Sequence, residues 1–265
     1  MTALEISGLA KEYVDSYSGD RVTAIGEVTF TVEEGEFVSI LGPSGCGKTT
    51  VLNIIAGFVE QTAGTVKVGG RVVDGPGPDR GVVFQNHALF PWKTVLGNAA
   101  FGLRMKGIPA ARRREIALEH LELVGLAGFE NRYPHELSGG MRQRLGVARV
   151  LANEPAVMLM DEPFASIDAQ TRRKLQEDLT RVFELRRPTV FFVTHDIDEA
   201  VFLSDRVVVL SRRPSRVREI VTVDLPRPRD WQGTTALPEF REIANHITAL
   251  LSEGGDREGP ELTAA

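Results

Sequence analysis

The fold is decided by a glycine-rich octapeptide, Gly42-Pro43-Ser44-Gly45-Cys46-Gly47-Lys48-Thr49. It follows the apolar run Phe37–Leu41, which predicts a buried strand, and it precedes a helix predicted from Thr49 to Phe58. A G-x-x-x-x-G-K-[ST] pattern between a strand and a helix is typical of a phosphate-binding loop. Glycines let backbone N–H groups turn toward phosphate oxygens, and the helix directs its positive end at them. Lys48 adds a mobile charge for the β- and γ-phosphates, and the Thr49 hydroxyl can ligate Mg²⁺.

A pair of acids forms the second candidate motif. Asp161 and Glu162 follow the apolar run Val157–Met160, which predicts a buried strand that ends at the same sheet edge as the loop. There Asp161 can hold a metal ion, usually through water, and Glu162, which points elsewhere, can polarise an attacking water. Two solvated acids at the end of a strand are common, so the pair gains its significance from the phosphate-binding loop.

A second helix end suited to anions is predicted in the segment Leu137-Ser138-Gly139-Gly140. Ser138 is a typical N-cap residue, and the two glycines leave the N–H groups of the first helical turn accessible. Ser-Gly-Gly alone is a weak indication of such a site. It becomes a strong one because it stands between the phosphate-binding loop and the acid pair in the same chain.

With these motifs in this order, the chain resembles the ATP-binding subunits of ABC transporters, over residues 4 to 225. The resemblance implies ATP and Mg²⁺ as cofactors, with Glu162 and His195 as catalytic residues and Thr49, Gln85 and Asp161 around the metal. The matching features are the phosphate loop Gly42 to Thr49 with Thr50 after it, the Q-loop glutamine Gln85, the signature Ser138-Gly139-Gly140, Asp161 and Glu162, the D-loop Ser166-Ile167-Asp168, and the switch histidine in Thr194-His195-Asp196.

The same resemblance implies partners. Two such subunits pair head to tail, as a homodimer or an equivalent pair, with ATP between one phosphate loop and the other subunit's signature. Hydrolysis then drives transport through membrane-embedded permease subunits, and a solute-binding protein takes part indirectly. The family places an aromatic residue against adenine, for which Tyr13 is the candidate and Tyr17 a competitor.

An apolar segment follows Gln85. Leu89, Phe90 and Trp92 either line the groove that receives a helix of the transmembrane subunit or pack inside the helical lobe. The residues leave these two interpretations open.

Composition excludes several classes. The 265 residues carry a net charge of −5, which argues against nucleic acid as the main partner. The single cysteine, Cys46, fits a reducing compartment, and its place in the loop predicts a thiol against the phosphates. No run approaches the ~18 apolar residues of a membrane span, and no signal peptide is evident. We therefore expect a peripheral protein at the cytoplasmic face of the membrane, held there by its partners.

The predicted fold class is α/β, a P-loop NTPase of the ABC ATPase type with a mixed sheet core, an antiparallel β subdomain and an inserted helical lobe. Uniformly apolar strands that alternate with helices indicate a parallel sheet covered on both faces. The predicted organisation is an ATP-binding core in 1–85 and 136–225, a helical subdomain in 86–135, a C-terminal helical extension in 226–252 and a disordered tail in 253–265.

The predicted function is the ATP-hydrolysing subunit of a prokaryotic ABC importer with a separate permease. The nearest resemblance is to the nitrate/sulfonate/taurine group, carried by residues 41–48, 210–217 and 225–229. The alternative is a non-transport ABC ATPase of DNA repair or translation, which usually has a coiled-coil insertion or a second cassette. A P-loop kinase or GTPase has no use for Ser138 and His195, and Glu162 argues against a regulatory subunit without turnover.

Overall fold

The structure is a computed structural model that describes residues 1–14, 19–165 and 167–252. Some of the predictions concern residues outside these ranges. They are Tyr17 as the alternative residue against adenine, Ser166 of the D-loop, and the tail 253–265, which is expected to be disordered. Within the described ranges no helix has the length and apolar character needed to cross a bilayer.

One mixed sheet runs through the described part of the chain, in the spatial order β5-β4-β1-β2-β10-β9-β3-β8-β7-β6. Its strands are β1 (Thr2–Val14), β2 (Arg21–Glu33), β3 (Phe37–Leu41), β4 (Ala63–Val68), β5 (Arg71–Val72), β6 (Arg80–Val83), β7 (Val157–Asp161), β8 (Val190–Val193), β9 (Arg206–Leu210) and β10 (Ser215–Thr222).

Five strands form the parallel core predicted from their apolar runs. Strands β6, β7, β8, β3 and β9 pair in parallel, and every residue of β3 and β8 is buried. Successive side chains enter opposite layers: Phe37 packs in one apolar cluster and Val38 in the other. Burial on both faces explains why β3 and β8 carry runs of apolar residues rather than an alternating pattern.

The antiparallel part is built by β1, β2, β4 and β5. Gly69 and Gly70, both with positive φ (54° and 75°), join β4 to β5 in a tight hairpin. Strand β10 links the two parts, since it pairs antiparallel with β9 and in parallel with β2, where Ser215 faces Ile25.

Nine α-helices of the described residues cover this sheet and build the inserted lobe. They are α1 (Lys48–Ile55), α2 (Val95–Ala99), α3 (Phe101–Met105), α4 (Ala110–Leu123), α5 (Gly139–Leu151), α6 (Ala169–Arg186), α7 (Ile197–Leu203), α8 (Trp231–Ala236) and α9 (Pro238–Ser252), with a 3₁₀ turn at Pro134–Glu136. Helices α2 to α4 lie in the chain between the neighbouring parallel strands β6 and β7, so this lobe is an insertion into the sheet. The predicted fold class is confirmed.

Candidate functional site

The glycine-rich loop connects the end of β3 at Leu41 to the start of α1 at Lys48. Gly47 has φ 105° and Gly45 φ 74°, values that side chains with a Cβ rarely adopt. A turn from the Cys46 N–H to the Pro43 carbonyl oxygen (3.2 Å) compacts the loop. The first N–H groups of α1 have no acceptor within the helix, so this strand–loop–helix junction can bind an anion.

Lys48 lies folded over this loop. Its Nζ donates to the carbonyl oxygens of Gly42 (2.8 Å) and Pro43 (3.3 Å), and the residue is 7% exposed. Phosphate oxygens are stronger acceptors for an ammonium than neutral carbonyls, so the side chain is poised to exchange these partners for an anion.

Thr49 and Asp161 form a pair of oxygen donors. The Thr49 Oγ1 donates to Asp161 Oδ1 at 3.3 Å, because β7 delivers its last residue to the edge where the loop lies. Burial raises the pKa of the Asp161 carboxyl above its usual value, against the opposing effect of the Thr49 hydrogen bond. A hydroxyl and a carboxylate fit Mg²⁺, which prefers oxygen ligands and completes its shell with water and substrate phosphates. No cluster of three or more His, Cys, Asp or Glu side chains able to hold a metal occurs among the described residues.

Glu162 and His195 meet beside the loop. His195 Nδ1 lies 3.2 Å from Glu162 Oε2, with the side chains 60% and 26% exposed. Glu162 has φ 42°, a left-handed conformation that is strained for a non-glycine residue, and its N–H donates to the Val193 carbonyl oxygen at 3.0 Å. The strained backbone separates the direction of Glu162 from that of Asp161, so one carboxylate faces Thr49 and the other faces His195.

These groups share a cavity of about 400 Å³. It is lined by Ser44, Gly45, Gly47, Lys48, Thr49, Thr50, Glu162, His195 and Arg213. The structure therefore brings together residues from the loop, Glu162 of the acid pair and the switch histidine, while Asp161 lies outside the lining and contacts it through Thr49. Arg213 was not predicted as a site residue. Its position just after β9 could have indicated that it lies near the phosphate loop, because parallel strands place their carboxyl ends at the same edge of the sheet.

The Cys46 thiol is not in this cavity, and the expectation that it lies against the phosphates is wrong. Cys46 is 1% exposed and packs in the apolar cluster on one face of the sheet. Its Sγ would lie 2.7 Å from a Cβ built on Gly42, and burial raises the pKa of the thiol. The backbone of Cys46 belongs to the loop while its side chain fills the core.

Gln85 and Tyr13, two of the predicted nucleotide contacts, also lie outside the cavity lining. Gln85 is exposed two residues after the end of β6, beside the strand that carries Asp161. Tyr13, near the end of β1, is 43% exposed, and the Lys11 ammonium lies 5.0 Å from its ring centroid. The structure therefore does not bring either side chain into the cavity.

The signature segment also lies apart from the cavity of its own chain. Ser138 caps α5 as predicted, since its Oγ accepts from the Met141 N–H at 3.3 Å. Gly140 allows α5 to pack closely on α6, because a Cβ there would lie 3.1 Å from Thr171 Cγ2. Ser138 itself is exposed, so a ligand on another molecule can reach this helix end.

The segment after Gln85 is tied to the signature helix by contacts that sequence reasoning missed. His87, at φ 59°, places its Nδ1 2.6 Å from Gln143 Oε1. Arg149 donates to the carbonyl oxygens of Ala88 (2.6 Å) and His87 (3.1 Å). Burial lowers the pKa of His87, and the Gln143 contact opposes that shift. Side chains of α5 thus hold the backbone and the imidazole of the segment directly after Gln85.

A buried carboxyl holds the histidine loop. Glu199, 5% exposed on α7, accepts from the Thr194 hydroxyl and from Gln176 Nε2 (2.7 Å). Thr194 Oγ1 in turn accepts from the Asp196 N–H at 3.1 Å. Burial raises the pKa of Glu199. Sequence reasoning missed this residue, because a glutamate in a helix is usually solvated.

A second, larger groove of about 680 Å³ separates the inserted lobe from the sheet. Phe58, Phe84, Phe90, Phe101 and Met105 supply much of its apolar lining, and Arg80, Lys106 and Arg149 its cations. Of Leu89, Phe90 and Trp92, for which the sequence left a docking groove and packing inside the lobe as alternatives, only Phe90 lines this groove. Leu89 packs against the core, and Trp92, 72% exposed, lies outside the lining.

Comparison with known proteins identifies close relatives. The family model described as "ABC transporter" matches residues 25–165. An uncharacterized ABC transporter ATP-binding protein of Methanocaldococcus jannaschii is 53% identical, over 94% of this chain and 91% of its own length. A taurine import ATP-binding protein of Rhizobium johnstonii is 46% identical (90% and 92% covered), and a nitrate import ATP-binding protein of Synechocystis sp. 41% (99% of each).

A solved structure shares the fold. It is the dimeric structure of an ATP-binding cassette in a post-hydrolysis state bound to ADP and Pi. It is 33% identical, has a TM-score of 0.71, and the alignment covers 83% of this chain and 98% of that one.

Proposed function

The chain belongs to the ABC transporter family, and we propose that it is the ATP-binding and ATP-hydrolysing subunit of a prokaryotic ABC importer. ATP-binding proteins of this family are ATPases coupled to transport. The observation that carries the proposal is the cavity in which the phosphate loop, Thr49 with its Asp161 partner, Glu162 and His195 converge. The domain organisation proposed is a core in 1–85 and 136–225 with a helical subdomain in 86–135.

In the proposed mechanism residues 42–50 bind the nucleotide phosphates through backbone N–H groups and Lys48. Thr49, Asp161 and Gln85 would hold Mg²⁺, and the ion would supply positive charge to neutralise the phosphate oxygens. Glu162 accepts the proton of the attacking water, and His195, 3.2 Å from that carboxylate, keeps the base and the water in place. Tyr13 stacks on adenine.

The second half of the site comes from another copy of the chain. Ser138, Gly139 and Gly140 lie outside the cavity lining of their own subunit, while their helix end is suited to phosphate. We propose a head-to-tail homodimer in which each signature closes the other subunit's cavity, an arrangement supported by the dimeric relative. ATP then joins the two subunits, and its hydrolysis separates them.

The groove beside the inserted lobe is the proposed docking site of the permease. Its aromatic lining suits the apolar face of a helix, and Lys106 and Arg149 suit a carboxylate on the same helix. Docking there places the subunit at the cytoplasmic face of the membrane. Because Arg149 holds the backbone next to His87, an occupant of the groove acts directly on the Q-loop.

A matched pair of variants tests this docking site. Met105 lines the groove and is 62% exposed, whereas Leu185, on α6, is 65% exposed and lies outside the lining. Met105→Glu should abolish co-purification with the permease, and Leu185→Glu should not. Equal recovery of the permease with both variants would contradict the proposed groove.

The solute is proposed to be a small anion or zwitterion of the nitrate, sulfonate or taurine class, by analogy with the import relatives. A solute-binding protein delivers it, and the subunit has no nucleic acid partner. The deciding experiment is co-purification with the permease, followed by ATPase assays with each solute and its binding protein. Stimulation by one member of the class supports the proposal. ATPase activity stimulated by DNA or ribosomes instead would favour the non-transport alternative.

A further inference from the structure

The loop of residues 211–214, between β9 and β10, lies beside the phosphate loop. Strand β9 runs parallel to β3, so its end at Leu210 reaches the edge where the phosphate loop begins. A Cβ built on Gly42 would lie 3.1 Å from Leu210 Cβ and 3.3 Å from the Leu210 carbonyl oxygen. The two chain segments are therefore in van der Waals contact.

Hydrogen bonds on both sides fix this loop. Across its base, the Ser211 N–H donates to the Arg216 carbonyl oxygen and the Arg216 N–H donates to Ser211 Oγ, both at 3.0 Å. Ser215 is fully buried, and its Oγ donates to the Ala24 carbonyl oxygen at 3.1 Å. The backbone position of the residues between these anchors is thus set by the fold.

Arg213 lies at the centre of this loop and directs its side chain into the nucleotide cavity. It shares the cavity lining with Lys48, Thr49 and His195. Its Nη2 lies 3.8 Å from a Cβ built on Gly45, above the glycine-rich turn. Within the part of the chain that the structure describes, no carboxylate lies within 4.0 Å of this guanidinium.

We propose that Arg213 binds the phosphate chain of the nucleotide, as a second positive charge of the cavity in addition to Lys48. This inference rests on the nucleotide-binding function proposed above. A guanidinium forms charge-assisted, often bidentate, hydrogen bonds with phosphate. These bonds stabilise the complex most where no carboxylate already pairs with the guanidinium, as for Arg213 among the described residues. Because Arg213 lies over Gly45 and not beside Glu162, it contributes to the affinity for both the diphosphate and the triphosphate.

Three variants test this assignment: Arg213→Gln, which removes the charge, Arg213→Lys, which keeps it, and Arg212→Gln as a control on a neighbouring exposed arginine outside the lining. Calorimetric titration of the full chain with ADP and ATP should give Kd values about five- to twenty-fold weaker for Arg213→Gln. We expect Arg213→Lys to lose less, and Arg212→Gln to stay within two-fold of the parent.

Competition by pyrophosphate locates the contact. Arg213→Gln should weaken the binding of pyrophosphate by a factor similar to that for ADP. Equal pyrophosphate affinity in parent and variant would overturn the assignment of Arg213 to the phosphate chain. A Kd for ADP within two-fold of the parent would overturn the inference altogether. Failure of the parent protein itself to bind ATP would instead contradict the proposed function, so the two failures are distinguishable.

Discussion

Replacing Glu199 by alanine removes the carboxylate that holds the loop of the switch histidine. The Thr194 hydroxyl and the Gln176 side-chain amide both donate to this buried group. Thr194 directly precedes His195, so the same contacts fix the backbone from which the histidine projects. The variant therefore tests whether a buried carboxyl on α7 maintains one wall of the nucleotide site.

The cost follows from the partners that lose their acceptor. Two buried donors, on Thr194 and Gln176, remain without one, and each orphaned donor costs ~1–3 kcal/mol. The truncation also leaves a small cavity, which destabilises the fold further. Removing a buried carboxyl also removes its desolvation cost, which offsets part of the destabilisation. We expect Glu199→Ala to lower the free energy of unfolding by about 2–4 kcal/mol. Glu199→Gln keeps the volume and one acceptor, so it should cost about 1 kcal/mol or less.

Urea unfolding at pH 7, followed by circular dichroism, measures both variants. If Glu199→Ala lowers the free energy of unfolding by less than about 1 kcal/mol, neither donor depends on this acceptor, and Glu199 does not hold the histidine loop. The pH dependence gives a second check. Because burial raises the pKa of Glu199, the folded protein binds this proton more tightly than the unfolded chain, and the stability from this group declines as the pH rises through the raised pKa. The stability of Glu199→Gln relative to the parent should therefore increase with pH, and a constant difference would contradict the shift.

Three further predictions concern the site. Lys48→Ala should weaken ATP binding about ten- to a hundred-fold in equilibrium titration, because the mobile ammonium is lost; an unchanged Kd would remove Lys48 from the site. Ser138→Arg should leave ATP binding by the isolated subunit unchanged and abolish ATPase activity, since its defect acts on the other subunit; a folded variant with normal turnover would argue against the paired site. Cys46 should react slowly with iodoacetamide in the native protein, equally with and without ATP, and readily after unfolding; fast labelling of the native chain would show that its thiol is not in the core.

Much of the sheet could be predicted from the sequence, because strands buried on both faces carry continuous apolar runs. The observed β3 (Phe37–Leu41) has the predicted bounds. The bounds of β1 (Thr2–Val14) could not be predicted, because its pairing with β2 is interrupted by register shifts that break the alternation of apolar and polar residues.

The candidate site was predicted where a motif fixes the backbone and missed where only tertiary contacts place a side chain. The spacing of the phosphate loop located Lys48 and Thr49, but nothing in that spacing says that the Cys46 side chain turns into the core. Arg213 gives no local signal, since an arginine in an exposed loop is usually solvated; its role depends on the parallel pairing of β9 with β3. Glu199 was missed because a glutamate on a helix is usually solvated, whereas the fold buries this one.

In the proposed function, two copies of the chain hydrolyse ATP in a shared site with Glu162 as the base. The most direct measurement is the molar mass of Glu162→Gln in solution, by light scattering with and without ATP and Mg²⁺, alongside its ATPase rate. We expect a monomer without nucleotide, a stable dimer with ATP and turnover reduced at least a hundred-fold. Adding Ser138→Arg to the same chain should restore the monomer. Turnover within a few-fold of the parent, or a mass that ATP does not change, would contradict the account.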